Sequence, residues 1–261
     1  MAADRLYVGA AHTDETWVGV AFDRAGFETA GVFDEVGALW LHYEERAERV
    51  LVDVPVGLHD GDGNGDGDGN GDADPERACD RLLRSVLGPR ADAVFSPPVR
   101  PATRRRRYTA AARVNERLAG RPLSRRAFEV SAAIAAVDEL LQELPEAREA
   151  VAAAHPELCY RAFAGEVLRH DPRTAGGYAE RMRALAAFDR DAPPAVQRAA
   201  EATAGSRVDV ATVLDAVALA YTARPGPGEL RSLPADPPTD ATGLPTEVRY
   251  RSEAPIEPQG E

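Results

Sequence analysis

One aspartate stands in an apolar segment where a charge is costly. Asp53 lies near the end of the segment Arg49-Val-Leu-Val-Asp-Val-Pro, two residues before Pro55. An uncompensated charge in a buried strand costs on the order of several kcal/mol. Parallel-type sheets bind ligands at the carboxyl ends of their strands, so Asp53 is a candidate functional residue. The alternative is a carboxylate that caps the following turn, Val-Pro-Val-Gly-Leu.

Two further carboxylates, Asp209 and Asp215, lie near the start of the last predicted helix. Positions six residues apart do not share one helical face, so we expect at most one of the two to point where Asp53 does. The alternative roles are a helix cap for Asp209 and a solvated helix position for Asp215.

The tripeptide His155-Pro156-Glu157 follows a short apolar stretch. Pro156 fits the first position of a helix, and Glu157 then becomes an acid in the first helical turn. A histidine in Ala-rich sequence is more often a hydrogen-bonded structural residue than a base or a metal ligand. The sequence contains no Gly-x-Ser-x-Gly motif, no Walker-type phosphate loop and no Gly-x-Gly-x-x-Gly after a strand, which disfavours serine hydrolases, P-loop enzymes and dinucleotide-binding enzymes.

Arginines are concentrated between Val99 and Phe128. This segment has ten arginines against Glu116 as its single acid, a net charge of +9, whereas the rest of the chain carries −21. Arginine forks bind phosphate well, so we expect this segment to bind nucleic acid. The alternative is a pair of Arg-rich helices whose charges are paired inside the protein. The candidate nucleic-acid-binding residues are Arg100, Arg104, Arg105, Arg106 and Arg107.

The elements that must position these residues begin with three short strands. Apolar bursts at 6–10, 17–22 and 27–33 predict consecutive strands joined by tight turns. A helical period follows over 35–48, and then a strand that is apolar on both faces and ends at Pro55. This order predicts an α/β domain with an antiparallel edge.

Residues 60–74 consist of Gly, Asp and Asn apart from one Ala, which predicts a flexible acidic insertion. The segment Asp60-Gly-Asp-Gly-Asn-Gly copies the first half of a calcium loop, but its twelfth position is Gly71, where a bidentate Glu is required. We therefore predict no calcium site.

The rest of the chain is predicted to be mostly helical, with an Arg-rich helical segment at 75–144 and a domain that extends over residues 1–223. The tail at 224–261 is rich in Pro and Gly, and residues 246–250 are a possible strand. The predicted helices lie at 76–87, 108–118, 125–144, 177–188 and 208–223.

The overall composition says more about the salt environment to which the protein is adapted than about its binding partners. The 261-residue chain has a net charge of −12 and no lysine, which is typical of proteins from salt-adapted archaea. We expect a soluble, cytoplasmic protein, because no apolar run approaches the ~18 residues that a membrane span needs and the N-terminus lacks the pattern of a signal peptide. The two cysteines, Cys79 and Cys159, predict buried free thiols.

The order of several short motifs resembles a prokaryotic family of unknown function whose members are commonly described as predicted nucleases of the RNase H fold. The resemblance runs from about Leu6 to Tyr250. Its motifs are Val8-Gly-x-Ala with Trp17-Val, Asp53-Val-Pro-Val-Gly-Leu, Cys79-Asp80, Leu87-Gly88, Val94-Phe95-Ser96-Pro97-Pro98-x-Arg100, His155-Pro156-Glu157, Gly176 with Arg181, and Val213-Leu214-Asp215-Ala216.

The resemblance implies an RNase H-like mixed sheet and a metal-dependent nuclease that uses Mg²⁺ or Mn²⁺ to hydrolyse phosphodiesters. It implies Asp53 as the central metal ligand, with Asp209 and Asp215 as the other ligands and with His155 and Glu157 as further catalytic residues. Four positions where the family tends to carry acids hold other residues here, namely Ala11, Ala153, Ala211 and Thr212. The alternative function is therefore a catalytically degenerate family member that binds nucleic acid or protein.

Overall fold

The computed structural model describes residues 5–13, 16–61 and 76–257. All but the first two residues of the predicted acidic insertion, Asp60 and Gly61, lie outside the described residues, so the predictions of flexibility and of no calcium site stay predictions. The strands are β1 (Leu6–His12), β2 (Trp17–Phe22), β3 (Phe27–Phe33), β4 (Ala47–Val52), β5 (Val151–Ala153), β6 (Glu229–Leu233) and β7 (Val248–Ser252).

The helices alternate with these strands only at the beginning of the chain. They are α1 (Val36–Tyr43), α2 (Ala78–Leu87), α3 (Arg100–Thr103), α4 (Tyr108–Ala119), α5 (Arg125–Glu129), α6 (Ser131–Glu143), α7 (Pro145–Ala150), α8 (Pro156–Ala164), α9 (Ala175–Phe188), α10 (Ala192–Ala202) and α11 (Val210–Ala223), with a short 3-10 helix at Gly88–Ala93. None of the helices in the described part of the chain is both long enough and apolar enough to cross a membrane.

The central sheet has five strands in the order β3-β2-β1-β4-β5. β1, β2 and β3 are antiparallel neighbours, whereas β4 is parallel to β1 and β5 is parallel to β4. The predicted α/β sheet with an antiparallel edge is confirmed. The crossover through α1 returns the chain in the direction of β1, which places the end of β4 in the middle of the sheet.

Helix α11 covers one face of the sheet and lies directly against β1. A Cβ atom added at Gly9 would lie 2.1 Å from the carbonyl oxygen of Ala216, so only glycine permits this approach. The rings of Phe22 and Tyr221 are 4.5 Å apart, which places the C-terminal part of α11 near the start of β1. The N-terminal part of α11 therefore lies over the carboxyl ends of β1 and β4.

Helices α1 and α6 cover the opposite face. Their apolar side chains, among them Leu39, Trp40, Ile134 and Val137, form one buried cluster with the β-strand residues of that face. The helix predicted at 125–144 is interrupted at Val130, whose ψ of 1° departs from helical geometry and separates α5 from α6. The predicted helices at 76–87, 108–118, 177–188 and 208–223 are present within two residues of their expected ends, whereas the helix predicted over 35–48 ends at Tyr43.

The tail folds back onto the domain. β6 and β7 form an antiparallel pair, and Arg249 of β7 also makes a parallel bridge to Ala154 beyond β5. Val248 and Tyr250 are buried against residues of α2 and α8. The predicted strand at 246–250 corresponds to β7. Strand β6 was not predicted, because its sequence, Glu-Leu-Arg-Ser-Leu, has few apolar residues.

Candidate active site

Asp53 follows directly after β4, at the carboxyl end of a central strand. Its backbone N–H donates to the carbonyl of Ala10 at 3.2 Å, and its Oδ1 accepts a hydrogen bond from the backbone N–H of His12 at 2.9 Å. The carboxylate is thus tied to β1, the neighbouring strand that also contains Ala11. Asp53 therefore lies at the end of a strand that pairs directly with the strand of Ala11.

Asp215 reaches the same edge of the sheet from α11. Close packing of Ala216 on Gly9 places the preceding residue, Asp215, over the carboxyl ends of the central strands. Its Oδ1 accepts no hydrogen bond from any group in the described residues, and Nε of Arg181 lies 3.9 Å from this oxygen. The carboxylate keeps 23% of its side-chain surface exposed.

Both carboxylates line one cleft of about 890 Å³. The cleft lies between the sheet edge, the 3-10 helix region, α8 and the start of α11. It brings together every residue that we proposed as catalytic, namely Asp53, His155, Glu157, Asp209 and Asp215.

The electrostatics of the cleft floor are unusual for aspartates. Desolvation by burial raises the pKa of Asp53 to about 7, even though the N–H of His12 opposes the shift. Burial also raises the pKa of Asp215 to about 8; Arg181 and the hydroxyl of Tyr160 lower it, whereas Glu157 and Asp53 raise it further. The two aspartates are therefore close enough to repel each other, and each is poised to exchange a proton near neutral pH.

Glu157 is held by two arginines on the side of the cleft. Its Oε1 accepts hydrogen bonds from Nη2 of Arg181 and, at 3.2 Å, from Nη2 of Arg90. Glu157 and Arg181 are almost completely buried. Burial raises the pKa of Glu157 while Arg181 and Arg90 oppose the shift. This arrangement makes Glu157 a residue that orients two guanidinium groups.

Asp209 acts as the N-cap of α11. Its Oδ1 accepts hydrogen bonds from the N–H and the hydroxyl of Thr212, both at 2.8 Å, and its Oδ2 lies 3.8 Å from Nε of Arg173. Within the described ranges, no group of three or more acidic, cysteine or histidine side chains could hold a metal ion. The expected ligand set of Asp53, Asp209 and Asp215 is therefore not assembled, because residues 209 and 215 leave α11 in different directions.

His155 precedes α8 and faces the cleft with a buried ring atom. Burial lowers its pKa to about 4, so the ring is neutral at pH 7. Its Nδ1 finds no hydrogen-bond partner among the residues that the structure describes.

A family model described as "Protein of unknown function (DUF429)" matches residues 4–239, which is most of the chain. The chain belongs to this family. Searches of curated proteins and of solved structures gave no significant match.

Three of the four positions at which this DUF429 protein lacks an expected acid line the cleft. Ala153, Ala211 and Thr212 are lining residues, and Ala11 is buried in β1 next to His12. The departures noted in the sequence are thus grouped around Asp53 and Asp215, and they leave these two as the carboxylates of the cleft floor.

Arg100 is buried in this DUF429 protein and is not available to a nucleic acid at the surface. It is 5% exposed, and its guanidinium donates to Asp138 at 2.9 and 3.2 Å, to Asp60 at 2.6 Å and to Asp240. Its predicted role in nucleic-acid binding does not fit this placement, since charge pairing inside the protein occupies the whole fork. Residues 104–107 are exposed and do not line the cleft.

Sequence reasoning assigned no role in the cleft to Arg90 and Arg126, which line it, or to Arg181, which contacts Glu157. Arg181 appeared only as part of a motif, although its position one helical turn after Gly177 was visible. Arg126 was counted in the arginine-rich segment 99–128 and Arg90 had no signal of its own, because only the fold brings both residues into the cleft that His155 lines.

Proposed function

We propose that this protein has an RNase H-like fold and hydrolyses nucleic-acid phosphodiesters with the help of a divalent metal ion. The observation that carries the proposal is the pairing of Asp53 and Asp215 on the floor of one cleft, with pKa values of about 7 and about 8. The strand order, three antiparallel strands followed by parallel ones, agrees with the fold that the family resemblance implies.

The residues of the cleft fit a divalent cation whose coordination shell is completed by the substrate. Oδ1 of Asp215 accepts no hydrogen bond within the described chain, and Asp53 accepts from the N–H of His12 through its Oδ1. A cation between two carboxylates that repel each other would relieve the repulsion. Mg²⁺ commonly binds through one or two carboxylates, with water and substrate phosphate as its other ligands. When bound, such an ion activates a water molecule and stabilises the leaving oxygen.

The chain's own residues provide the positioning. The N–H of His12 fixes Asp53 against β1, and close packing at Gly9 fixes Asp215. Arg181 lies between Glu157 and Asp215, 3.9 Å from the latter, and places positive charge where a phosphodiester would accumulate negative charge. Asp209 stabilises the start of α11 and does not hold the ion.

A second candidate function is favoured by the acids that are absent around the cleft. With alanine at 153 and 211, the ligand set that the described residues offer is reduced to Asp53 and Asp215. A catalytically degenerate member would bind nucleic acid or protein through the cleft and the exposed arginines 104–107 without cleaving it.

The deciding experiment is a nuclease assay in concentrated KCl with Mg²⁺ or Mn²⁺ and with single- and double-stranded DNA and RNA. We expect cleavage by the wild type and its loss in Asp53→Asn and in Asp215→Asn, because an amide keeps the shape and removes the charge. Asp209→Asn is the matched control, since asparagine caps a helix as well as aspartate. Binding without cleavage in the wild type would favour the second candidate.

A further inference from the structure

One wall of the cleft contains a polar group whose hydrogen-bonding capacity is not used. Arg90, in the 3-10 helix, donates from Nη2 to Glu157 at 3.2 Å. Its Nε is buried and has no hydrogen-bond partner in the part of the chain that the structure describes. A buried N–H without a partner costs on the order of 1–3 kcal/mol, and a ligand that accepted a hydrogen bond from Nε would remove this cost.

His155 presents a second unused atom on the same wall. Its Nδ1 lacks a hydrogen-bond partner among the described residues, while the backbone carbonyl of Ala93 raises the pKa of the ring against the effect of burial. A neutral imidazole ring carries one N–H donor and one acceptor nitrogen, so Nδ1 is a hydrogen-bond acceptor when Nε2 carries the proton. Arg90 and Arg126 line the same cleft as His155, and the positive charge of each lowers the pKa of the ring.

Arg126 completes the group from α5. Its Nη1 donates to the carbonyl of Asp92 at 3.0 Å, and its guanidinium carbon lies 5.7 Å from the centre of the Phe95 ring. The side chain is exposed, and both Arg126 and Phe95 line the cleft. The carboxylates of Asp92 and Glu129 line the same region, but Arg126 forms no salt bridge within 4.0 Å among the described residues.

We infer that Arg90, Arg126 and His155 form a nucleotide-binding subsite, in which the two arginines bind a phosphate group and Nδ1 of His155 accepts from a sugar hydroxyl or a base N–H. Phosphate matches the arginine forks, and a bare anion would leave the acceptor on His155 unused. Phe95 offers an aromatic surface beside the phosphate. The subsite deepens the proposed function and rests on it, since it assigns the substrate unit adjacent to the metal-binding aspartates.

The subsite is tested by calorimetric titration of the full chain in EDTA, at several KCl concentrations. The probes are inorganic phosphate, uridine monophosphate and a short single-stranded oligonucleotide. Arg126→Gln is compared with Arg125→Gln, a neighbour on the same helix that loses the same charge but stacks on Tyr108, with its guanidinium carbon 4.1 Å from the ring centre. We expect Arg126→Gln and Arg90→Gln to weaken the binding of all three probes about tenfold. Arg125→Gln should change their affinities by less than about twofold.

His155→Phe sharpens the assignment. This substitution removes the acceptor, so it should weaken the binding of uridine monophosphate and leave the binding of inorganic phosphate unchanged.

Melting curves show whether each variant folds, and Arg126→Gln serves as the decisive variant because its side chain is exposed. Equal effects of Arg126→Gln and Arg125→Gln, or no effect of either, would overturn the subsite. Binding of the mononucleotide but not of the oligonucleotide would identify a free phosphate ester as the ligand and support the subsite without a nucleic acid.

Failure of the proposed function gives a different pattern. Asp53→Asn should abolish metal-dependent cleavage but keep its affinity for phosphate and uridine monophosphate in EDTA. If the wild type cleaves nothing while Arg126→Gln still loses probe binding, the nuclease proposal fails and the subsite stands.

Discussion

Two clusters of buried and half-buried charge in this protein differ in how their charge is compensated. Around Arg100, three carboxylates share one guanidinium, and Asp240 also accepts from the N–H groups of Leu58 and Leu244. Burial raises the pKa of Asp240, but these hydrogen bonds, together with Thr242 and Arg100, outweigh it and lower the pKa below its ordinary value. In the cleft, Asp53 and Asp215 have raised pKa values instead.

The difference separates a structural cluster from a functional one. The Arg100 cluster joins α3 and α6 to the tail and satisfies nearly every polar atom, so its charges contribute to folding. The cleft keeps two carboxylates with little compensation, which lowers stability and leaves them free to bind a cation or a proton.

Arg100→Gln should lower the free energy of unfolding by about 3–5 kcal/mol, because it leaves buried carboxylates without their counter-charge. Denaturant unfolding monitored by circular dichroism measures the change. Arg104→Gln is the matched control: Arg104 pairs with Glu139 at 3.6 Å on the surface, and its loss should change stability by less than about 0.5 kcal/mol. Similar effects of the two variants would contradict a structural role for Arg100.

Asp53→Asn and Asp215→Asn should change the free energy of unfolding in the opposite direction to Arg100→Gln. At pH 8 each should raise the free energy of unfolding in EDTA by on the order of 1–3 kcal/mol, because each removes a poorly compensated charge from the cleft. The same unfolding measurement applies. A loss of stability in both variants would show that the two carboxylates belong to a compensated network like that of Arg100.

The pH dependence of these gains has a definite direction. The folded pKa of Asp53, about 7, lies above the ordinary value of 3.8, so the folded state binds the extra proton between these values. The contribution of these groups to the free energy of unfolding of the wild type should therefore fall as the pH rises from about 4 toward 8. The stability gain of Asp53→Asn should shrink toward zero near pH 4, and a gain that is constant with pH would contradict the raised pKa.

Asp209→Ala should cost about 1 kcal/mol of stability through the loss of the α11 cap, whereas Asp209→Asn should be close to neutral. Thermal melts of the three proteins measure the difference. Loss of metal binding in Asp209→Asn, followed by Mn²⁺ titration, would instead return Asp209 to the ligand set.

Much of the fold could be predicted because its signals are local. The first three strands, the crossover helix and β4 follow from short apolar bursts and a change of period, and Gly120 ends α4 with a φ of +65°. The break at Val130 and the strand β6 could not be predicted, since packing and pairing with distant residues decide them. For the site, the apolar surroundings of Asp53 were visible, but the compensation of Arg100 was not.

The sequence by itself determined which side chains are available for chemistry: the aspartate at the end of an apolar strand, the alanines at positions 11 and 153, and the excess of arginine over lysine. Only the tertiary structure decided which of them act together. It buried Arg100 among three carboxylates, and it brought Arg90 and Arg126 into the cleft that His155 lines. The physical reason is that charge compensation and desolvation depend on distances between elements far apart in the chain, and residue order does not contain those distances.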